Sequence, residues 1–381
     1  MALKTLNLGR ELEKAVASGH PWIYRDALPR HSLRTGEWVR LEAGRGVAFG
    51  IYDEEGAIAV RVFSREAVPE RPWFNDRVLE ALQLRSGLEE RGTDAYRLLY
   101  GEGDGLPGIV VDRYGRFAVL KIYSQGVREA VPYVLKALTS ALDLSSVSER
   151  IEVGLESHYG QLPPPEVTVS ENGLKLLANL HEGQKTGLFL DQRDNRATVR
   201  TMSSGRKVLN LFSYNGGFSV AALAGGAQAV VSVDMAEPAL RDAVRTVELN
   251  GFDSERHATV TADVFEYLSS APSERYGLVV CDPPSLAQAK RSRHAALRAY
   301  RRLNRSALER VEEGGLLATS SCTAQVSPEA FRQVVAEAVA EAGVRAQIIH
   351  EAGQPIDHPV PANFPEGRYL KFMVLRVLGP A

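Results

Sequence analysis

Two strand-like runs end in residues that could do chemistry. LATSSCT (317–323) closes an apolar run, Gly315 to Thr319, with two serines and then Cys322. A thiol among small polar side chains at a strand end is placed as a nucleophile, because the thiolate is the reactive form and needs a polar, reachable setting. CDPPS (281–285) ends another apolar run in Asp282, and the two prolines stiffen the loop that presents this acid. If the two runs are neighbours in a parallel sheet, Cys322 and Asp282 face one crevice. Cys281, the other of the chain's two cysteines, sits inside GLVVC and reads as a small hydrophobe.

A second constellation precedes the first. NLFSYNGGFS (210–219) is a strand entering a glycine turn, where Gly216 and Gly217 let the backbone pass close to a ligand. It is not the GxGxxG fingerprint of dinucleotide binders. Asp234 closes the next strand, placed to accept hydrogen bonds from both ribose hydroxyls of a nucleoside cofactor; the competing reading is a cap of the following helix. Asp263 and Val264 close a third strand, where an acid or adjacent amide meets an adenine amino group. Phe212, Ser213, Tyr214, Asn215 and Met235 complete the surround, with Pro283 from the fourth strand end. DQRDNR (191–196) precedes this region, and Gln192 and Arg193 are its expected contacts at the cofactor mouth; the competing reading is a salt-bridged helix start. No cluster of amides with a lysine awaits a pyrophosphate, so the strand ends fit S-adenosylmethionine. In amino-methylating enzymes an aromatic usually follows the two prolines; Ser285 stands there instead, which disfavours an exocyclic amine as target.

These strand ends need a scaffold. KVLNLF, AVVSVD, ATVTADV, GLVVCD, GLLATSS, AQIIHEA and LKFMVLRV alternate with helical stretches between about 207 and 377. That alternation implies a Rossmann-like doubly wound sheet of seven strands, with ligands at strand carboxyl ends. AEPALRDAVRTVELNG has Pro238 in its first turn and Gly251 at its end, as a helix requires. Residues 1–72 differ: EWVRLE, GVAFGIYD and AIAVRVFS are short strands between glycine turns, as in a small β-barrel. Residues 73–166 read as an α+β unit: helices over RVLEALQLRSGLEER and REAVPYVLKALTSALD, a hairpin about Tyr114-Gly115, and a strand at IEVGLES paired with a later one. After the prolines at 163–165, VTVSENGLKLLANL reads as a hairpin turning at Asn172-Gly173 within a linker, 167–190. The catalytic domain spans 191–381.

The net charge of -2 gives no global sign of a nucleic-acid partner, but the segment 285–310 carries +7 and the rest of the chain -9. Lys290, Arg291, Arg293, Arg298, Arg301 and Arg302 fall on an expected amphipathic helix directly after CDPPS, with Arg305 and Arg310 beyond. Such a helix is either a solvated face or a phosphate-contacting one, and its start beside the reaction centre favours RNA. Two cysteines suit a reducing cytosol. No apolar run suggests a signal peptide or membrane span, and no His or Cys spacing suggests a metal.

FSYNGGFS, VVSVDMAEPAL, VVCDPPS, LATSSCT, EGQKTGLFLDQRDNR and DHPVPANFPEGRYLK together resemble the ribosomal large-subunit methyltransferase I family. GHPWIYRDAL and IAVRVFSR resemble its N-terminal PUA domain, an RNA-binding β-barrel, and GEGDGLPGIVVDRYG its central domain. The resemblance implies S-adenosylmethionine-dependent methylation of cytosine C5 in 23S rRNA, with Cys322 adding to C6 and Asp282 engaging the ring. It also implies a cytoplasmic protein and leaves a homodimer open. Cys281 directly precedes Asp282, which is not the usual arrangement of the second cysteine in other RNA cytosine-C5 enzymes, so a two-cysteine mechanism is disfavoured. N-methylation of an exocyclic amine, and an RNA-binding assembly factor without turnover, are the competing functions.

Overall fold

The computed structural model describes residues 3–270, 274–287 and 292–381, so Lys290 and Arg291 lie outside the described residues. The chain divides into two compact units. One holds the residues up to Val169 with Ala178–Leu190 and Ile356–Gly367; the other holds Ser170–Leu177, Asp191–Pro355 and Arg368–Ala381.

The first unit contains two sheets. β1 (Lys4–Asn7), α1 (Glu13–Ser18), β2 (Trp22–Tyr24), β3 (Trp38–Ala43), β4 (Gly46–Tyr52) and β5 (Ile58–Ser64) build a five-stranded sheet in the order β1-β3-β4-β5-β2. Its core is Val16, Ile23, Val39, Leu41, Ala59 and Val60. The middle strands were legible in the sequence; the short outer strands β1 and β2 add to them.

α2 (Arg71–Leu84), β6 (Ala95–Tyr100), β7 (Ile109–Tyr114), β8 (Phe117–Ile122), α3 (Val131–Ala141), β9 (Ser146–Arg150) and β10 (Leu155–Gly160) form the second sheet, in the order β10-β9-β8-β7-β6. Phe74, Val78 and Ala81 of α2 and Val131, Val134 and Leu138 of α3 bury against it. One expectation is corrected here: of IEVGLES only Leu155–Ser157 is strand, opening β10, and its partner is the earlier Ser146–Arg150 and not a later strand. Ser146, Ser148 and Glu149 are buried polar residues on β9, so the strand lacks the apolar pattern that would have revealed it.

β11 (Glu166–Glu171) and β12 (Leu174–Asn179) make the expected hairpin. Asn172 and Gly173 both take positive φ, 49° and 77°, as a two-residue type I′ turn demands.

The second unit runs α4 (Arg193–Met202), β13 (Lys207–Leu211), α5 (Gly217–Ala224), β14 (Ala229–Asp234), α6 (Glu237–Leu249), β15 (His257–Thr261), α7 (Val264–Ser270), β16 (Tyr276–Cys281), α8 (Arg293–Leu308), β17 (Val311–Ser321), α9 (Pro328–Glu341), β18 (Val344–Ala352) and β19 (Lys371–Pro380). The seven strands lie in the order β15-β14-β13-β16-β17-β19-β18. β13 to β17 are parallel, and β19 runs antiparallel between β17 and β18. Period-two alternation divides the strands between two cores. Leu209, Val279, Cys281 and Leu317 face α8 and α9, whereas Val208, Leu278, Val280 and Ala318 face the side of α4, α5 and α6. The order reverses between β13 and β16, and a crevice opens at the carboxyl ends of strands at such a switch point.

Candidate active site

The loop after β13 is strained. Phe212 and Tyr214, neither of them glycine, take φ of 56° and 47°, and Gly216 takes 78°; such non-glycine conformations cost on the order of 1–3 kcal/mol each and persist only where the surroundings enforce them. The surroundings here are specific. Ser213 donates its backbone N–H to Val233 O at 3.1 Å, Tyr214 donates its own to Asp234 Oδ2 at 2.8 Å, and Asn215 Nδ2 donates to Leu177 O at 2.9 Å. A Cβ on Gly216 would lie 2.8 Å from Ala243 Cβ, so α6 packs too closely for any side chain there. Gly217 opens α5 under the Arg196 side chain.

Asp234 is held at both oxygens, since Ala236 N–H donates to its Oδ1 at 2.9 Å. Each carboxylate oxygen has a second acceptor position, so the group that fixes the loop can also accept from a ligand. The Ser213 hydroxyl is buried without a partner among the described residues. An orphaned hydroxyl, a bare glycine turn and a strand-end carboxylate suit a nucleoside with hydroxyl and amine donors, so these residues fit S-adenosylmethionine.

Around this loop, Met235 is 73% exposed, and the Phe212 ring meets Phe265 edge-on at 6.4 Å. Asp263 Oδ1 accepts the Glu266 N–H at 3.1 Å, capping α7, and Val264 is buried behind it.

Asp282 anchors the other half. Its Oδ1 accepts from Gln192 Nε2 at 2.7 Å and from the Ser320 hydroxyl. Gln192 is itself buried and accepts from Asn195 Nδ2 at 2.6 Å. Arg193 is 2% exposed, with Nε donating to Asp194 at 3.0 Å. Arg196 makes a buried two-pronged pair with Glu171, at 2.7 and 2.5 Å. Burial opposes its charge, but Glu171 outweighs that, helped by Asp191 and Asp282, and the guanidinium is held charged.

Cys322 follows β17 and is half-buried, with Sγ 4.0 Å from Pro283 O. The pairing of Cys281 with Thr319 sets this register. The thiol therefore sits against the Asp-Pro-Pro loop, at the ends of two neighbouring parallel strands. Cys281 is fully buried, and burial pushes its thiol far up. Thr323 ties the neighbourhood together. Its Oγ1 meets Tyr300 OH at 2.7 Å and Ser285 Oγ at 3.3 Å, and accepts Leu286 N–H at 3.2 Å. Lys371 Nζ donates to Thr323 O and Tyr369 O, each at 2.7 Å. Burial pushes the Tyr300 hydroxyl up to about 12. Thr323, Tyr300 and Lys371 were not singled out from the sequence; Lys371 lies in the quoted stretch DHPVPANFPEGRYLK, but its burial carries no local signal.

The basic segment is less uniform than its composition implied. Arg293 and Arg298 are exposed. Arg301 lies 3.6 and 3.3 Å from Glu337 and Glu341 of α9, Arg302 covers the Phe265 ring at 4.6 Å, and Arg305 pairs with Glu309. Arg310 is buried, donating to Leu268 O. Arg301 and Arg302 of the expected basic face therefore have partners within the fold, because α9 supplies acids and α7 an aromatic ring that a count along α8 does not include.

Among the described residues, no group of three or more His, Cys, Asp or Glu side chains is placed to hold a metal, and no helix is long and apolar enough to cross a membrane.

The sheet order, the strained loop and the strand-end acids define a methyltransferase that uses S-adenosylmethionine, and comparison with known proteins agrees. Residues 158–359 match the S-adenosylmethionine-dependent methyltransferase family and residues 6–65 a PUA-like domain. The chain is 38% identical to ribosomal RNA large subunit methyltransferase I of Klebsiella pneumoniae (strain 342), covering 98% of both chains. It is 37% identical to the Escherichia coli K12 protein of that name, covering 98% of this chain and 99% of that one. Among solved structures it resembles SMU.776, a methyltransferase complexed with SAH, at TM-score 0.89 and 27% identity over 98% of this chain and 100% of that chain. The chain belongs to the ribosomal RNA large subunit methyltransferase I family.

Proposed function

We propose that this protein methylates C5 of a cytosine in the 23S RNA of the large ribosomal subunit, through a covalent adduct of Cys322 at C6. The family membership supports the RNA substrate. The observation that carries the chemistry is the placement of Cys322 Sγ 4.0 Å from Pro283 O, beside the loop that begins at Asp282.

S-adenosylmethionine supplies an electrophilic methyl group when bound. Asp234 would accept from its ribose, the turn Phe212–Gly217 would surround its nucleoside and methionine portions, and Gln192 and Arg193 would shape the mouth. Cytosine C5 is a weak nucleophile. Addition of the Cys322 thiolate to C6 moves electron density onto C5, which would then take the methyl group as the sulfonium S–CH3 bond breaks and its electron pair stays on a neutral thioether. Asp282, oriented by Gln192 and Ser320, faces the ring N3 and amino group. Loss of the C5 proton re-forms the double bond and releases the thiolate. The target base must leave its stack to reach this crevice. The N-terminal sheet and the exposed Arg293 and Arg298 contact the surrounding RNA.

The test is tritium release from RNA labelled at cytosine C5. Wild type should expel tritium with each methyl transferred, and Cys322→Ser should expel none while binding the cofactor normally. RNA carrying 5-fluorocytosine should trap wild type covalently at Cys322. Methylation without tritium release would mean N-methylation instead.

A further inference from the structure

Lys371 is 4% exposed. Its Nζ donates to two neutral carbonyls, Thr323 O and Tyr369 O, and among the described residues no carboxylate pairs with it. An ammonium has three donors, so one remains. Burying a cation against carbonyls alone is costly, and a nearby anion offsets that cost. Register decides which anion is near. Lys371 is the cross-strand partner of Ser321, and its Nζ grips the carbonyl of Thr323, so Cys322 is the residue between its strand partner and its hydrogen-bond partner.

We infer that Lys371 is the buried cation that holds Cys322 as a thiolate ready for attack. It is a positioning residue, acting through the thiol, and the inference rests on Cys322 being the nucleophile. Desolvation brings the Lys371 ammonium down to about 8, and the charge acting against that fall is the Cys322 thiolate. The other groups facing this spot are Asp282 from the end of β16, Tyr300 from α8, and Tyr369, whose hydroxyl donates to Asp191 Oδ2 at 2.5 Å. Asp282 works against a second anion beside it, and Tyr300 stays protonated near neutral pH. Lys371 therefore supplies the positive charge that this acidic corner needs if Cys322 is to ionise.

The experiment is the pH dependence of iodoacetamide alkylation at Cys322 in the full chain without RNA, followed by peptide mass. The buried Cys281 should stay silent. Wild type should show a Cys322 midpoint at least one pH unit below the ordinary thiol value of about 8.5. Lys371→Met should raise that midpoint by one unit or more, a loss of about tenfold in thiolate near pH 7, and Lys371→Arg should largely keep it. An ordinary or raised midpoint in wild type would overturn the inference, whether or not Lys371→Met folds. So would an unchanged midpoint in a Lys371→Met protein with normal melting and cofactor affinity. A normal midpoint with a Cys322 still required for methylation sinks only the role of Lys371. A depressed midpoint with an active Cys322→Ser sinks only the nucleophile.

Discussion

Gln192 Nε2 donates to Asp282 Oδ1 at 2.7 Å, joining two residues 90 positions apart in the chain. The bond ties the segment leading into α4 to the end of β16, and Asn195 in turn fixes the Gln192 carbonyl. The Asp282 carboxylate is thus aimed by a residue on another element. Gln192→Ala should lower kcat by about tenfold, the scale of one hydrogen bond to a charged group, with little change in melting temperature. A kcat equal to wild type would leave Asp282 oriented by Ser320 alone.

Asp234 fixes the strained turn through Tyr214 and Ala236, and in the proposed reading it also accepts from the cofactor ribose. Asp234→Ala should weaken S-adenosylmethionine by about 1.5–3 kcal/mol in a calorimetric titration. Unchanged affinity with a lowered melting temperature would leave only its bonds to Tyr214 and Ala236.

Arg301 and Arg298 should separate cleanly. Arg293→Gln with Arg298→Gln should reduce RNA affinity and flatten its dependence on salt, since each lost phosphate contact removes about one from the slope. Arg301→Gln should change RNA affinity much less, because α9 already neutralises it, and its half-exposed ion pairs should contribute at most about 1 kcal/mol to stability. A larger loss of RNA binding from Arg301→Gln would show that these pairs open on RNA.

His257 makes a pH-dependent contribution. Its ring meets Ser232 Oγ at 2.8 Å, and burial brings it down from 6.5 to about 4. The unfolded chain therefore binds a proton that the folded one refuses between those values, so stability falls as pH drops from about 6.5 to about 4. The ceiling is about 3 kcal/mol, and partial exposure reduces it to roughly half. Denaturant unfolding of His257→Gln should lack this loss; an identical slope in both proteins would assign it to other groups.

The sequence by itself determined the strands that end in chemistry. β13, β14, β16 and β17 are apolar runs closed by a glycine turn, an acid or a thiol, and that punctuation is local. The Asn172-Gly173 turn was equally legible, because positive φ selects those residues. Tertiary structure decided what depends on partners remote in the chain. β9 is rich in buried polar residues and gives no apolar pattern. Ile356–Gly367 follows β18 in sequence yet belongs to the first unit, where Asp357 Oδ2 accepts the Arg97 N–H at 2.9 Å and its carbonyl accepts from Arg85 Nη2 at 2.9 Å. The arginines of α8 look alike in a charge count, but one faces two glutamates of α9 and another an aromatic ring. Lys371 reads as an ordinary strand lysine until pairing with β17 buries it beside Cys322. Propensity and periodicity act over a few residues, whereas burial and ion pairing arise only when distant segments meet.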